Sequence, residues 1–192
     1  MPRHLRISLC ALALALTSAS TLCAEDKPAK PAAITIGEMR VQTMPAVNYL
    51  HTAAETTFAN MGAPVVAAFD KIFFTASEAK LMIARPTMLV YQGGPHYAPD
   101  KPFKMEIGVI VADDAKVADL PEELKMRKTA PFKCATILYT GSVDQQGQAY
   151  QKLIPAIKAA DLEPTGEERE MCLYWEGVES ANNVFIMQIG VK

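Results

Sequence analysis

Thiol and metal chemistry have little to work with in this chain, because its 192 residues include only four cysteines and three histidines. There is no Cys-x-x-Cys pair and no Cys/His cluster, which excludes the usual structural zinc sites, and no cofactor is expected. No Ser-x-Gly elbow or Cys/His pairing supplies a nucleophile for His51 or His96 to serve, so both read as surface histidines on loops. Excess positive charge is also missing: 19 Lys and Arg stand against 21 Asp and Glu, a net charge of −2. Nucleic-acid binding rests on clustered cations that neutralise phosphates, so a nucleic-acid partner is excluded. Tryptophan occurs once, at Trp175, and reads as a core anchor. What remains is half apolar and 21% charged, an ordinary globular mixture with material for one sizeable core.

The one long apolar run lies at the N-terminus. Arg3, His4 and Arg6 precede it, and small or polar residues 17–21 follow, so that a cut after Ala24 leaves Glu25 first. Basic, apolar and small-residue regions in that order form a secretory signal, with an apolar stretch too short to span a bilayer comfortably. Ser20 offers an alternative cleavage position; lipidation at Cys23 and an uncut anchor are the competing readings. Residues 1–24 are therefore expected to be a signal peptide, with an exported, periplasmic or extracellular destination and no stable membrane insertion after cleavage. Residues 25–33, rich in Pro, Ala and charge, read as a flexible lead-in. Export leaves Cys134 and Cys172 in the folded part, either as a disulfide or as two free thiols.

From residue 34 onward the hydrophobic pattern runs strand, helix, strand, strand, and then repeats. Strands are predicted at 34–50 (broken at Pro45), 87–92 and 103–111, with a helix at 62–74. The second course places strands at 132–140, 168–175 and 184–191, with a helix at 147–160 that Pro155 should kink or delay. The string Met105-Glu106-Ile107-Gly108-Val109 returns as Met187-Gln188-Ile189-Gly190-Val191 at the same place in each course. The expected fold is α+β: two βαββ halves, about 34–112 and 124–192, forming one curved antiparallel sheet with both helices on one face. The ligand cleft is expected on the other face.

Three segments carry a family resemblance. Residues 103–109, FKMEIGV, resemble an E-x-G-x-P-V strand, with Ile110 where proline is usual. Residues 169–177, REMCLYWEG, resemble R-E-x-Y-L, with Cys172 in place of tyrosine. The closing VFIMQIGVK resembles T-E-I-x-x-P-V, with Ile186 and Gly190 replacing the glutamate and proline. Together they resemble the GyrI-like (DNA gyrase inhibitor-like) domains, found alone or as effector-binding parts of AraC- and MerR-type regulators. The resemblance covers residues 34–192. It implies a cleft that takes lipophilic, often cationic, small molecules against a glutamate and aromatic rings. It also admits hydrolysis of strained cyclopropane-containing compounds by an acidic residue and an aromatic hydroxyl. No DNA-binding segment accompanies the domain here, so a regulator's role is not expected.

Glu170 is the first candidate. Strand alternation puts Glu170, Cys172 and Tyr174 on one face, expected to line the cleft, and Arg169, Met171, Leu173 and Trp175 on the other, expected beneath the helices. A partly desolvated carboxylate beside aromatic rings can hold a cation or donate a proton. Tyr91 takes the place in the first half that Tyr174 takes in the second, and Tyr139 stands before a glycine turn; these rings are candidate cleft walls, with sheet-edge packing as the alternative. Glu106 completes the candidate ligand set, although it reads more readily as a structural hydrogen-bond partner. Three functions follow: a binding module for a lipophilic, cationic small molecule; a hydrolase using Glu170 with Tyr139 or Tyr174; or an envelope protein whose cleft its own side chains fill.

Overall fold

The computed structural model describes residues 33–115 and 119–192, so the expected signal peptide and all but the last residue of the expected lead-in lie outside the described residues. The chain forms β1 (Thr35–Ile36), β2 (Arg40–Met44), β3 (Asn48–Thr56), α1 (Gly62–Glu78), β4 (Ile83–Gln92) and β5 (Phe103–Val111). It continues with β6 (Lys125–Lys128), β7 (Phe132–Thr140), α2 (Gly147–Ala159), β8 (Pro164–Tyr174) and β9 (Val184–Val191). The fold is α+β, as the pattern predicts. Pro155 does not break α2. It sits on the exposed side of the helix, where the carbonyl it leaves unpaired can meet water.

Every strand pairing in the sheet is antiparallel, in the order β1-β7-β9-β8-β4-β5-β3-β6, with β2 following β1 along the outer side of β7. The inner six strands read as two mirrored triplets, β7-β9-β8 and β4-β5-β3, so the halves meet where β4 pairs with β8. Pro45 does more than interrupt the first predicted strand. It separates β2, which pairs with the second half, from β3, which pairs with the first.

That separation dictates the curvature. Only residues 45–47 join β2 to β3, a link that reaches at most about 14 Å from Met44 to Asn48. In a flat sheet the two strands would lie six spacings apart, on the order of 29 Å. The sheet must therefore bend until its edges approach. Met44 and Val47 then pack with Tyr49, Met88, Val90, Ile110 and Met171 inside the bend.

Both helices lie on the outer face. Ala68, Ile72 and Ala76 of α1 recur at a spacing of four and bury against Leu50, Met105, Ile107 and Val109. In α2, Tyr150, Leu153 and Ile157 bury against Ile137, Met187 and Ile189. Cross-strand partners point to the same side of a sheet, so the ladder Leu89–Glu170–Met187, which joins the α1 core to the α2 core, shows that the helices share one face. Both helices also end alike, with Lys80 and Asp161 in the left-handed region at φ 52° and 55°, and with Leu81 and Leu162 donating back to the last turn.

The glycines of the repeated string have matching duties inside the bend. A Cβ on Gly108 would lie 2.3 Å from the Leu50 carbonyl oxygen and 2.5 Å from the Tyr49 ring. On Gly190 it would meet Thr165 Oγ1 at 2.2 Å and the Phe132 ring at 2.8 Å. Each glycine admits an aromatic ring from its own half, and each ring carries an arginine: Arg127 at 5.7 Å over Tyr49, Arg169 at 3.9 Å over Phe132. Gly108→Ala is expected to lower stability by about 1–3 kcal/mol, because backbone as well as ring must shift. Gly147→Ala, with nothing within 4 Å, should be neutral or stabilising by up to about 1 kcal/mol. Urea-denaturation midpoints of the two variants check the contrast.

Candidate functional site

β8 sets the site. Along it Glu168, Glu170 and Cys172 face the same way, paired with Tyr91, Leu89 and Thr87 of β4. This is the helix-bearing face, not the opposite one: the Tyr150 hydroxyl of α2 donates to Glu170 Oε1 at 2.9 Å. The sequence-based assignment of faces is thus reversed. Met171 belongs to the cluster inside the bend, and Arg169 lies there over Phe132. The reason is that the inside of a strongly bent sheet is itself dry, so the more apolar set need not be the one beneath helices.

Glu170 is 7% exposed and Glu168 wholly buried, at the junction of the halves. Between them stands His96, carried on a short 3-10 turn, Pro95–Tyr97, that follows Gly93 and Gly94. Both glycines adopt positive φ, 89° and 63°, which a side chain would resist, and the Gly94 amide donates to the Gly166 carbonyl at 2.9 Å. His96 Nδ1 bonds Glu168 Oε2, and Nε2 lies 3.9 Å from Glu170 Oε1. The ring stacks on Tyr150, with centroids 3.4 Å apart and planes within 9°. Phe58 covers it at 4.6 Å and Tyr91 meets it edge-on at 5.6 Å, with Phe103 behind Phe58. The result is an aromatic box with two carboxylates and an imidazole inside.

Burial pushes the Glu170 carboxyl above the ordinary value, and the neighbouring Glu168 charge adds to that. His96 and the Tyr150 and Tyr91 hydroxyls act in the opposite direction. Desolvation likewise raises both tyrosines well above their ordinary value, so they stay neutral donors. Such a group can serve as a proton donor, or as an anion once a cation arrives. The two carboxylates meet different nitrogens of one ring instead of converging on a point, and among the described residues no cluster is disposed to hold a metal ion.

The candidate residues divide accordingly. Glu170 and Tyr91 come together in the box, and Cys172 lies one step along the same face, packed towards the second core. Tyr174 does not join them. A bulge between Cys172 and Tyr174 reverses the alternation, leaving Tyr174 48% exposed with its hydroxyl on Glu176. Tyr139 is on the helix face but buried, its hydroxyl spent on the Ser142 carbonyl at 2.6 Å, so neither aromatic hydroxyl expected to assist Glu170 reaches it. Glu106 lies inside the bend, bonded by Arg127 at 2.6 Å with His51 Nδ1 at 3.9 Å. Trp175 is 52% exposed rather than a core anchor, resting edge-on against Phe185.

Of the histidines taken as surface residues, His51 is buried, and His96, its side chain 13% exposed, holds the centre of the site. Glu168, Tyr150, Phe58 and Phe103 also went unread. Strand alternation from Glu170 does reach Glu168, but no pattern brings α2 or the β4–β5 loop over it. Cys134 and Cys172 are free, on opposite faces of strands separated by β9, and burial pushes the Cys134 thiol up to about 11. Two surface hollows open elsewhere, one of about 390 Å³ beside Thr52, Glu122 and Lys125, the other of about 330 Å³ beside Phe74 and Pro121. Neither borders Glu170, because the box is filled by His96.

Comparison with known proteins agrees with this architecture. The EcmrR C-terminal domain superposes with a TM-score of 0.63 at 15% identity, over 81% of this chain and 98% of that one. Against EcmrR in its DNA complex the TM-score is 0.65 at 16% identity, and the match spans 81% of this chain but only 57% of that longer one. SAV2435, solved with tetraphenylphosphonium bound, superposes with a TM-score of 0.55 at 13% identity, over 81% of this chain and 94% of that one. Comparison with curated proteins gives no match. The model of the GyrI-like small molecule binding domain matches residues 37–192, and the chain belongs to that family.

Proposed function

We propose that this is an exported binding protein that captures a lipophilic, cationic small molecule against Glu170 at the junction of its two halves. The observation that carries the reading is a buried carboxylate walled by the rings of Tyr91, Tyr150 and Phe58 on the seam between α1 and α2. An aromatic wall offers a cation its negative ring faces, and the carboxylate offers charge in a place where water does not screen it. The phosphonium held by SAV2435 is a ligand of that kind on a similar fold. Export rests on the leader pattern around Arg3, the apolar run and Ala24.

A second reading has its own observation. His96 fills the box with the protein's own ring, which suits a protein whose cleft stays closed. Ligand titration separates the two. Tetraphenylphosphonium and flat aromatic cations should raise the melting temperature of the wild type, and Glu170→Gln should lose most of that rise, about a tenfold or greater loss of affinity. Unchanged melting temperatures with every cation would leave the closed-cleft reading.

The carboxyl also predicts a pH signature. The folded state raises it above the ordinary 4.5, so its favourable contribution is complete below that value and is lost as pH climbs through the raised one. Glu170→Gln, which imitates the protonated form, should therefore gain stability relative to wild type as pH rises from 4 to 8, measured by urea midpoints. In the same window cation affinity of the wild type should increase, because the ligand favours the ionised carboxylate.

The export half of the proposal has a separate check. Cell fractionation should place the protein outside the cytoplasm, with Glu25 as its first residue by N-terminal sequencing. Retention of Met1 on a cytoplasmic product would remove export and leave the binding reading standing.

A further inference from the structure

His96 occupies the box in the manner of a ligand. It is the one member not supplied by a strand, a helix or the turn that leads into α1. It enters on a loop hinged at Gly93 and Gly94, where the Gly94 amide bonds the Gly166 carbonyl. Its ring takes the stacked seat on Tyr150, beneath Phe58, with one nitrogen to each carboxylate.

The fit is incomplete in one informative way. Glu168 is wholly buried, yet its Oε1 has no donor among the described residues, while its Oε2 takes the Nδ1 of His96. An imidazole can give a carboxylate only one N–H, because its two nitrogens diverge. Oε1 is turned towards the backbone of the hinge, where a Cβ on Gly94 would stand 3.7 Å from it. A buried acceptor left without a partner costs free energy that the right occupant would recover. A group with two parallel N–H donors supplies what is missing: amidinium and guanidinium ions fork onto both oxygens of a carboxylate, and their planes stack on aromatic rings.

We propose that His96 is a built-in stand-in for the ligand, and that the seat it fills is made for a planar forked cation, an amidinium or guanidinium borne on an aromatic ring, which displaces it. This rests on the small-molecule reading above and narrows the ligand class: charge alone is insufficient, and the two N–H bonds must lie side by side. In the exchanged state the cation bonds Glu168 through both oxygens, stacks on Tyr150 and meets Glu170. The His96 loop swings out about Gly93 and Gly94.

Three probes of similar size test it: benzamidine (forked cation), benzylammonium (unforked cation) and benzamide (neutral), titrated calorimetrically into wild type, His96→Gly and Glu168→Gln. Benzamidine is expected to bind His96→Gly at least tenfold tighter than wild type and at least tenfold tighter than benzylammonium binds the same variant. Benzamide should bind neither, and Glu168→Gln should erase the preference for the fork. Free imidazole should raise the melting temperature of His96→Gly but not of wild type.

Because His96→Gly removes the only donor to Glu168 among the described residues and risks unfolding, the wild type supplies a second readout. The His96 ring protons, shifted upfield by the Tyr150 face, should move to exposed-histidine positions when benzamidine saturates. Equal affinities in His96→Gly and wild type, or His96 signals that stay in place under saturating benzamidine, would overturn the proposal. If those results came with Glu170-dependent binding of tetraphenylphosphonium, the binding function would stand and only the forked-cation seat would fall. If His96→Gly bound benzamidine while wild type bound no cation, displacement of His96 would be overturned and the wild-type cleft would be permanently self-occupied.

Discussion

Two carboxylates on one strand face, both removed from water, govern the architecture of this domain. Glu168 and Glu170 are two residues apart on β8, at a spacing where like charges repel strongly once solvent is gone. Burying such a pair demands compensation from nearby, and the fold assembles it from three separate segments: Tyr91 from β4, Tyr150 from α2 and His96 from the β4–β5 loop. A single imidazole between the two carboxylates addresses both at once. Breaking one member out of a buried ion pair commonly costs about 3–5 kcal/mol, so the loop, the helix and the central strands are energetically linked through this one cluster.

Duplication explains why the cluster lies where it does. Met105 and Met187 occupy the same place in the repeated string, and their cross-strand partners are Tyr91 and Glu170. The two residues are therefore counterparts set diagonally across the junction, where the Tyr91 hydroxyl lowers the pKa of the Glu170 carboxyl. Had both positions kept a carboxylate, the junction would hold a third buried negative charge. Had both become tyrosine, it would hold no acceptor beyond Glu168. The divergence of one repeat from the other turns a symmetric seam into a site with a charged side and a neutral side.

Much of this architecture was legible in the sequence. Strand and helix periods placed seven elements within a few residues of their positions, while the stretch read as one broken strand at 34–50 is three strands, β1, β2 and β3, and β6 went unread. The strings around Glu106 and Glu170 pointed to the family and to the central acid. The misreadings share one cause: each depended on a contact far along the chain. Alternation is a local rule, so it could not tell which face of β8 met helices when both faces are dry, nor anticipate the bulge that turns Tyr174 outward. His96 looked like a surface residue because Gly93, Gly94 and Pro95 mark a loop. Loops usually run over solvent, and nothing in the ten residues from Gly93 to Pro102 says that this one folds back onto Tyr150, 54 positions later. Pro45 announced a break, but not that the chain on its two sides would join opposite edges of the sheet.

The same non-local contacts connect curvature to binding. The short 45–47 link draws the edges of the sheet together and packs Tyr49, Met88, Ile110 and Met171 inside the bend. The outer face of the bend carries Glu168 and Glu170 at the β4–β8 seam, buried beneath Tyr150 of α2 and the His96 loop. A gap opened over two buried carboxylates cannot stay empty of polar partners without cost. In this chain a histidine on a glycine hinge fills it. A hinge is a fitting carrier, since a partner fixed on a strand or helix could be removed only by disrupting the core, whereas a loop that turns about two glycines can yield its place to a better donor.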